Sequence, residues 1–395
     1  MFLYGFTMFM LVYMVQPIMP RFVVEFSIAP AVASQALSAA TMGMAFCLIP
    51  ASVYVKRFAP RPLLIGGLLA CALLSLAVLL TDDFSGFVLS RLLFGMVLSA
   101  LPATALGFLS QSVDASRLGR SVGMYIAGNA MGGMSGRLLA LGLSEWMDWR
   151  EAFAVLGVFA LVVVTHVGHV LSGLKPADAT RGEEMPAGAQ DEPGSVWSRL
   201  HRLLSDRGLI ALFALAFLLS GSIVSVYNYI SFRLSAQPYG YDYKALCGIY
   251  GLYVMGMLGS ARAGRMADRF GKGEVLVWLP LVMAIGVWMT LAANAMMIIC
   301  GMALLTFGFF GAHSVASGWV SARASDDRAL ASSLYLTFYY LGASVLGTVA
   351  GGVWAAGSWP AVVLMNSAII AMALLLSLML KRLKPAQAAA ALPES

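Results

Sequence analysis

Residues 264–272 read Gly264-Arg265-Met266-Ala267-Asp268-Arg269-Phe270-Gly271-Lys272. Apolar stretches flank this polar loop, over about 244–263 before it and 274–293 after it. Each is long enough to cross a hydrocarbon core as a helix, at about 1.5 Å per residue. The nine residues therefore read as a turn between two membrane-crossing helices. Arg265, Arg269 and Lys272 assign that turn to the cytoplasmic side, where short loops collect Lys and Arg.

The same pattern extends in both directions. Spans are expected at about 2–20, 37–55, 63–81, 86–109, 121–143 and 152–172, then at 209–232, 244–263, 274–293, 297–320, 330–353 and 359–380. Twelve spans of roughly 20 residues need about 240 apolar positions, and 60% of the 395 residues are hydrophobic. Only 11% are charged, and the mean hydropathy is +0.83. A soluble globule of this size has no way to cover so much apolar surface, which argues against a soluble enzyme. The long continuous stretches argue against a β-barrel, whose strands alternate over about ten residues. The expected fold is an all-α integral membrane protein with twelve transmembrane helices in two pseudo-symmetric bundles. Residues 1–172 make the first six-helix bundle, 173–207 a cytoplasmic linker, 208–382 the second bundle and 383–395 a cytoplasmic tail. Within the linker, Val196 to Leu204 reads as a short helix on the membrane surface, anchored by Trp197 and Leu200.

With both termini inside, 19 Lys and Arg fall in inside segments and 4 outside, while Arg91 and Arg137 lie within spans. That bias puts both termini in the cytoplasm and supports the span count. It also accounts for the net charge of +6 without a nucleic-acid partner. Cys47, Cys71, Cys247 and Cys300 lie in apolar stretches and read as free buried thiols, with no disulfide framework and no metal spacing. The first apolar stretch has no small-residue cleavage site after a short core, so an uncleaved span is expected. No G-x-x-x-x-G-K-[ST] loop occurs, so neither nucleotide-driven pumping nor a cofactor is expected.

The two halves resemble each other. Gln16 matches Asn228, Arg21 matches Arg233 and Arg57-Phe58 matches Arg269-Phe270, all 212 residues apart. Gly95-Met96 matches Gly301-Met302 and Arg117 matches Arg323 at 206, and Gly132 matches Gly342 and Trp149 matches Trp359 at 210. Their order along the chain argues for a six-plus-six duplication. Two related bundles with a flexible connector suit alternating access around a site near the bilayer midplane.

In the opening loop, Gly264 permits close helix approach and Gly271 allows the turn. Asp268 can accept hydrogen bonds from amides at a neighbouring helix N-terminus, and Arg269 can pair with an acid across the half. Such contacts hold a cytoplasmic gate closed in one state and release it in another. The spacing resembles the G-x-x-x-D-R-x-G-R/K signature of the major facilitator superfamily, over nearly the whole chain. The matching loop of the first half, Ser52 to Arg61, has Lys56 in place of the acid and Ala59 in place of the glycine. The carboxylate latch has no counterpart there.

Further motifs carry the resemblance. Arg91-Leu92-Leu93-Phe94-Gly95 in span 4 is similar to the superfamily pattern R-x-x-x-G. A guanidinium inside a span marks a pathway, or snorkels to the outer surface. Gly128, Gly132 and Gly136 in span 5 make a small-residue stripe on which another helix can pack closely. Arg137, in the outer third, is expected to pair with an acid such as Glu145 or Glu25 or to face the cavity, as outer gate or as substrate contact. Tyr13…Gln16-Pro17…Pro20, Gly132 to Arg137, Trp149-Arg150, and Ala312-His313-Ser314 with Gly318-Trp319 together resemble the acriflavine-sensitivity subgroup, bacterial exporters of drugs and metabolites in the cytoplasmic (inner) membrane.

The resemblance implies that spans 1, 4, 7 and 10 line the substrate cavity. The lining is then Tyr13, Met14 and Gln16; Arg91, Met96 and Ser99; Tyr227, Asn228 and Tyr229; and Phe307, Phe310 and His313. His313 is a possible proton carrier, or a neutral imidazole bonded to its neighbours. Aromatic and methionine walls with a few polar groups suit amphipathic organic molecules. No Asp or Glu lies deep in these four spans, so neutral, zwitterionic or weakly anionic substrates are expected rather than lipophilic cations. Paired carboxylates, a catalytic triad and a metal cluster are missing from any plausible site, so the chain does not read as an enzyme. The expected function is proton-coupled efflux by a monomer in the lipid bilayer. A proton-coupled uptake symporter for a metabolite or sugar, and a lipid-handling protein, are the alternatives.

Overall fold

The computed structural model describes residues 1–55, 58–173, 193–324 and 327–382. Lys56 and Arg57 of the first-half loop, most of the linker and the tail 383–395 lie outside the described residues. The first half comprises α1 (Phe2–Tyr13), α2 (Met19–Glu25), α3 (Pro30–Ala33), α4 (Gln35–Tyr54), α5 (Pro60–Leu76), α6 (Phe84–Leu98), α7 (Leu101–Ser112), α8 (Ala115–Leu143) and α9 (Trp149–Gly173). After α10 (Pro193–Ser205), the second half comprises α11 (Arg207–Ser235), α12 (Tyr243–Gly251), α13 (Val254–Phe270), α14 (Lys272–Met289), α15 (Ala295–Arg323) and α16 (Arg328–Arg382).

Nine helical segments among the described residues are long and apolar enough to cross a bilayer. One of them, α16, runs for 55 residues and bends at Gly357 and Ser358, so it carries the last two expected spans. Two further expected spans fall on less apolar helices. The glycine-rich α8 holds Arg117, Arg120 and Arg137, while α12 and α13 are separated at Leu252–Tyr253 and α13 ends in Arg262, Arg265 and Arg269.

Local chemistry sets the helix starts. Asp83 caps α6 through the Gly86 amide, Asp206 caps α11 through Gly208 and Leu209, Asp242 caps α12 through Ala245, and Asn294 caps α15 through Met296 and Met297. Gly271, at φ +90°, turns α13 into α14 in a conformation that side chains rarely adopt.

Packing within each half is glycine-dependent. A Cβ at Gly128, Gly132 or Gly136 would lie 2.3, 2.0 or 2.3 Å from the carbonyl oxygens of Phe2, Phe6 and Met10. The stripe therefore lets the backbones of α8 and α1 touch over two turns. A Cβ at Gly342 would likewise lie 2.0 Å from the Phe217 oxygen, joining α16 to α11. The repeat partners Gly132 and Gly342 thus make the same contact in both halves.

Two expectations change. Cys71 is buried and Cys47 and Cys247 are half-buried, but Cys300 is exposed on the surface of α15, which lipid can cover as well as protein. Helix α10 forms, yet Leu200 turns inward with Leu203, one helical turn on, and is buried against protein, while Trp197 is 73% exposed. Charge fastens α10 instead. Asp327 accepts from Arg199 Nε at 2.5 Å and from Arg202. Nearby, Arg323 Nε donates to Asp206 at 2.7 Å. Burial raises the Asp327 carboxyl, but Arg202 and Arg199 outweigh it and hold the group below the usual carboxylate range. Asp206 is held low in the same way, against burial, by Arg323 and the Leu209 and Gly208 amides. These residues, with Arg269 and Arg328, mark one end of the bundle, the basic face.

Candidate functional site

The first pass breaks after Tyr13, where Pro17 has no N–H to give and the chain makes a 3₁₀ turn over Gln16–Ile18. The break places Gln16 deep in the protein, with no exposed surface. Its Nε2 donates to Asn228 Oδ1 on α11 at 2.8 Å, and its Oε1 accepts from Arg137 Nε on α8 at 2.6 Å. Arg137 is 2% exposed and donates through Nη1 to the Gly133 carbonyl at 2.6 Å. Its guanidinium lies over the rings of Tyr13 and Tyr253, with centroids at 4.0 and 4.1 Å. Tyr253 stands at the break between α12 and α13. One cation is therefore clasped by an aromatic ring from each half, and both clasping elements are interrupted helices.

Other contacts join the halves on the same side of the bundle. Ser344 Oγ donates to the Ser38 carbonyl and Thr348 Oγ1 to Ser38 Oγ, both at 2.9 Å. The Cys247 thiol reaches the Leu138 carbonyl at 3.8 Å. Lys244 pairs with Glu145 at 2.7 Å. All of these lie away from the basic face. Above them opens a cleft of ≈ 590 Å³ between Pro17, Arg21, Glu25 and Trp149 of one half and Ser235, Tyr241 and Asp242 of the other. The clasp rings Tyr13 and Tyr253 are half-buried, as are Phe307, Phe310, His313 and Tyr339.

The expected acid partners of Arg137 are occupied elsewhere. Glu145 belongs to Lys244, and Glu25 accepts from Arg150 and from Trp149 Nε1. Glu145 lies beyond the end of α8, and Glu25 is the last residue of α2. Arg91 is 1% exposed and donates from Nε, Nη1 and Nη2 to the carbonyls of Ala36, Leu11 and Val12, all in its own half. Tyr227 is buried, with its hydroxyl 2.8 Å from Thr306 Oγ1 and its ring 4.6 Å from that of Tyr253. Asn228 is buried too, and its Nδ2 has no partner. His313 Nδ1 lies 3.0 Å from the Tyr335 hydroxyl, and its ring packs on Phe309 and Tyr339.

The basic-face loop looks different from its sequence reading. A Cβ at Gly264 would meet nothing within 4 Å; close approach on α13 occurs at Gly259, against the Phe307 oxygen at 2.3 Å. Asp268 and Arg269 are exposed, and the Arg269 guanidinium lies over Phe270 at 5.1 Å. Gly128, Gly132 and Gly136 pack helices within one half, and in doing so hold Arg137 at the seam.

Several residues escaped the sequence reading. Tyr253 and Tyr339 were hidden because their helices are not among the four expected lining spans. The helix break at Tyr253 had no proline to announce it. Asp327 had a sequence signal, an Asp326-Asp327 acid pair set between Arg323 and Arg328 just before α16. Among the described residues no three His, Cys, Asp or Glu are grouped to hold a metal ion.

The Major Facilitator Superfamily model matches residues 1–263 and 258–395. The chain is 35% identical to the MFS-type transporter YybF of Bacillus subtilis (strain 168), over 94% of this chain and 90% of that one. It is 36% identical to the inner membrane transport protein YnfM of Escherichia coli (strain K12), over 96% and 88%. Among solved structures, a bacterial homologue of the human lysosomal transporter Spinster superposes with a TM-score of 0.76 at 13% identity, over 96% of this chain and 95% of that one. The nucleoside transporter NupG superposes with a TM-score of 0.75 at 12% identity, over 96% and 98%. Duplicated, glycine-packed halves meeting at a polar seam, and relatives of this closeness over nearly full length, lead to one conclusion: the chain belongs to the major facilitator superfamily of multi-pass membrane transporters.

Proposed function

We propose that this secondary transporter exports small organic molecules across the cytoplasmic membrane in exchange for protons, by alternating access. Residues 1–172 and 208–382 act as the two moving bodies, and 173–207 connects them. The observation that carries the reading is the unequal bonding of the seam. Within each half the helices are locked by runs of backbone contact at glycine, whereas between halves the contacts are the Gln16–Asn228 amide pair, the Arg137 cation held between rings, the bonds of Ser344 and Thr348 to Ser38, and one glycine approach, Gly351 on Ala31. Those few contacts can part and reform as a unit.

The Lys and Arg bias assigns the basic face to the cytoplasm and both termini with it. We assign the substrate path of the cytoplasm-facing state to the half-buried Tyr13, Tyr253, Phe307, Phe310, His313 and Tyr339. Exposed Asp268 and Arg269 form their latch, with Gly264 and Gly271, when that side closes. Of the four histidines, His313 alone lies on α15, packed among the rings of Phe309, Tyr335 and Tyr339, and it is the group assigned the proton. The carboxylate-poor wall favours neutral, zwitterionic or weakly anionic solutes.

Inside-out proteoliposomes with an acidic lumen test this reading against a labelled panel of small metabolites and antimicrobials. Gradient-dependent accumulation of a solute in the lumen is the expected result. Accumulation under the opposite gradient would establish uptake by symport instead.

A further inference from the structure

Arg137 carries a full charge into the protein interior without a carboxylate beside it. A guanidinium has five N–H donors. Gln16 Oε1 and the Gly133 carbonyl accept from two of them, each at 2.6 Å. The nearby acids Glu145 and Glu25 are paired with Lys244 and Arg150. Tyr13 supplies the negative face of its ring, and Tyr253 its ring face and a hydroxyl within reach of the guanidinium, but neither supplies a charge. A buried cation of this kind is costly and marks a place where charge is met during function.

Arg91 is the internal control. It too is buried without an acid, but its guanidinium ends on the Leu11, Val12 and Ala36 carbonyls within one rigid half. Its partners cannot leave. Those of Arg137 can, because Gln16 is tied to Asn228 and Tyr253 belongs to the opposite half. When the seam opens, the guanidinium loses a ring, and Gln16 loses its other bond. Asn228 Nδ2 is buried beside this cluster with no acceptor at all. Two donors, one of them charged, therefore await an acceptor at the point where the halves meet, between aromatic walls.

We propose that Arg137 is the docking group for the carboxylate of an aryl carboxylate substrate, with Asn228 Nδ2 as second donor and Tyr13 and Tyr253 against the ring. The carboxylate takes the place of Gln16 Oε1 on Arg137 as the seam parts. This names the solute class of the transport cycle proposed above and rests on that reading.

The test uses the full-length protein in lipid nanodiscs and three probes of one shape: benzoate, benzamide and benzylamine. Thermal unfolding is followed over millimolar concentrations of each. Benzoate should stabilise the protein, and benzamide and benzylamine should not. Arg137→Gln should weaken the benzoate response at least about tenfold, and Arg137→Lys should retain part of it. The comparison among probes needs no variant, so misfolding of Arg137→Gln would not blunt it. Absence of a benzoate response, an equal response to benzamide or benzylamine, or an undiminished response in folded Arg137→Gln would overturn the proposal. Counterflow of labelled benzoate in proteoliposomes separates the two readings. Arg137-dependent binding without exchange would support the docking site and sink the transport cycle. Exchange of benzamide in preference to benzoate would keep transport and sink the docking site.

Discussion

Gln16 and Asn228 stand 212 residues apart, occupy equivalent positions in the two repeats, and hydrogen-bond to each other at 2.8 Å. Equivalent residues of a duplicated bundle can touch directly only on the axis that relates the copies. The pair therefore marks the pseudo-two-fold axis, and Arg137, bonded to Gln16, sits one residue away from it.

Cys247 offers a native reporter of that gate, since its thiol reaches across the seam to the Leu138 carbonyl. Tyr253→Leu removes one face of the Arg137 clasp. A cation–π contact of about 0.5–2 kcal/mol should translate into a rise of roughly two- to thirtyfold in the open population. Labelling of Cys247 by a membrane-impermeant maleimide, located by mass spectrometry, should accelerate accordingly. An unchanged rate would mean that the clasp does not hold the seam.

Glycine positions should differ sharply in tolerance. Gly132→Ala drives a Cβ to 2.0 Å from the Phe6 oxygen, and Gly342→Ala does the same at Phe217. Each should cost about 1–3 kcal/mol through forced backbone shifts. Gly264→Ala meets nothing within 4 Å on α13 and should be neutral or mildly stabilising. Melting temperatures in one detergent compare the three; equal losses would contradict the packing account.

The clasp on α10 depends on an ionised Asp327. Its carboxyl is held below the usual range, so its contribution is full above the unfolded-state value and is lost as pH falls through the lowered folded value. A spin label at Trp197→Cys should thus stay slow at neutral pH and become mobile only below about pH 4. In Asp327→Asn it should be mobile at pH 7. A label that loosens between pH 5 and 7 would point to another group.

His313→Gln separates exchange from coupling. Its bond to the Tyr335 hydroxyl is replaced by an amide that cannot carry a proton at neutral pH. Substrate counterflow should persist while accumulation driven by a pH gradient falls to background. Retained gradient-driven accumulation would remove His313 from the proton path.

Much of the fold was legible because bilayer physics leaves a strong trace. Length, apolarity and loop charge located the helices, and the 212-residue offset already paired Gln16 with Asn228. Their mutual bond was not legible, since matching positions need not touch. The surroundings of Arg91 and Arg137 were harder still. Arg91 ends on carbonyls contributed by Leu11, Val12 and Ala36, and a backbone carbonyl has no sequence signal. Arg137 ends on a glutamine and two ring faces, where electrostatic intuition looks for an acid.

The central claim is that the halves rock about the Gln16–Asn228 axis. Paired spin labels at Trp146→Cys and Ala236→Cys report on the face away from the basic end, and pairs at Gln111→Cys and Met266→Cys report on the basic face. Introducing Asn228→Leu should lengthen the first distance and shorten the second. Distances that both stay fixed, or that change in the same direction, would contradict the account.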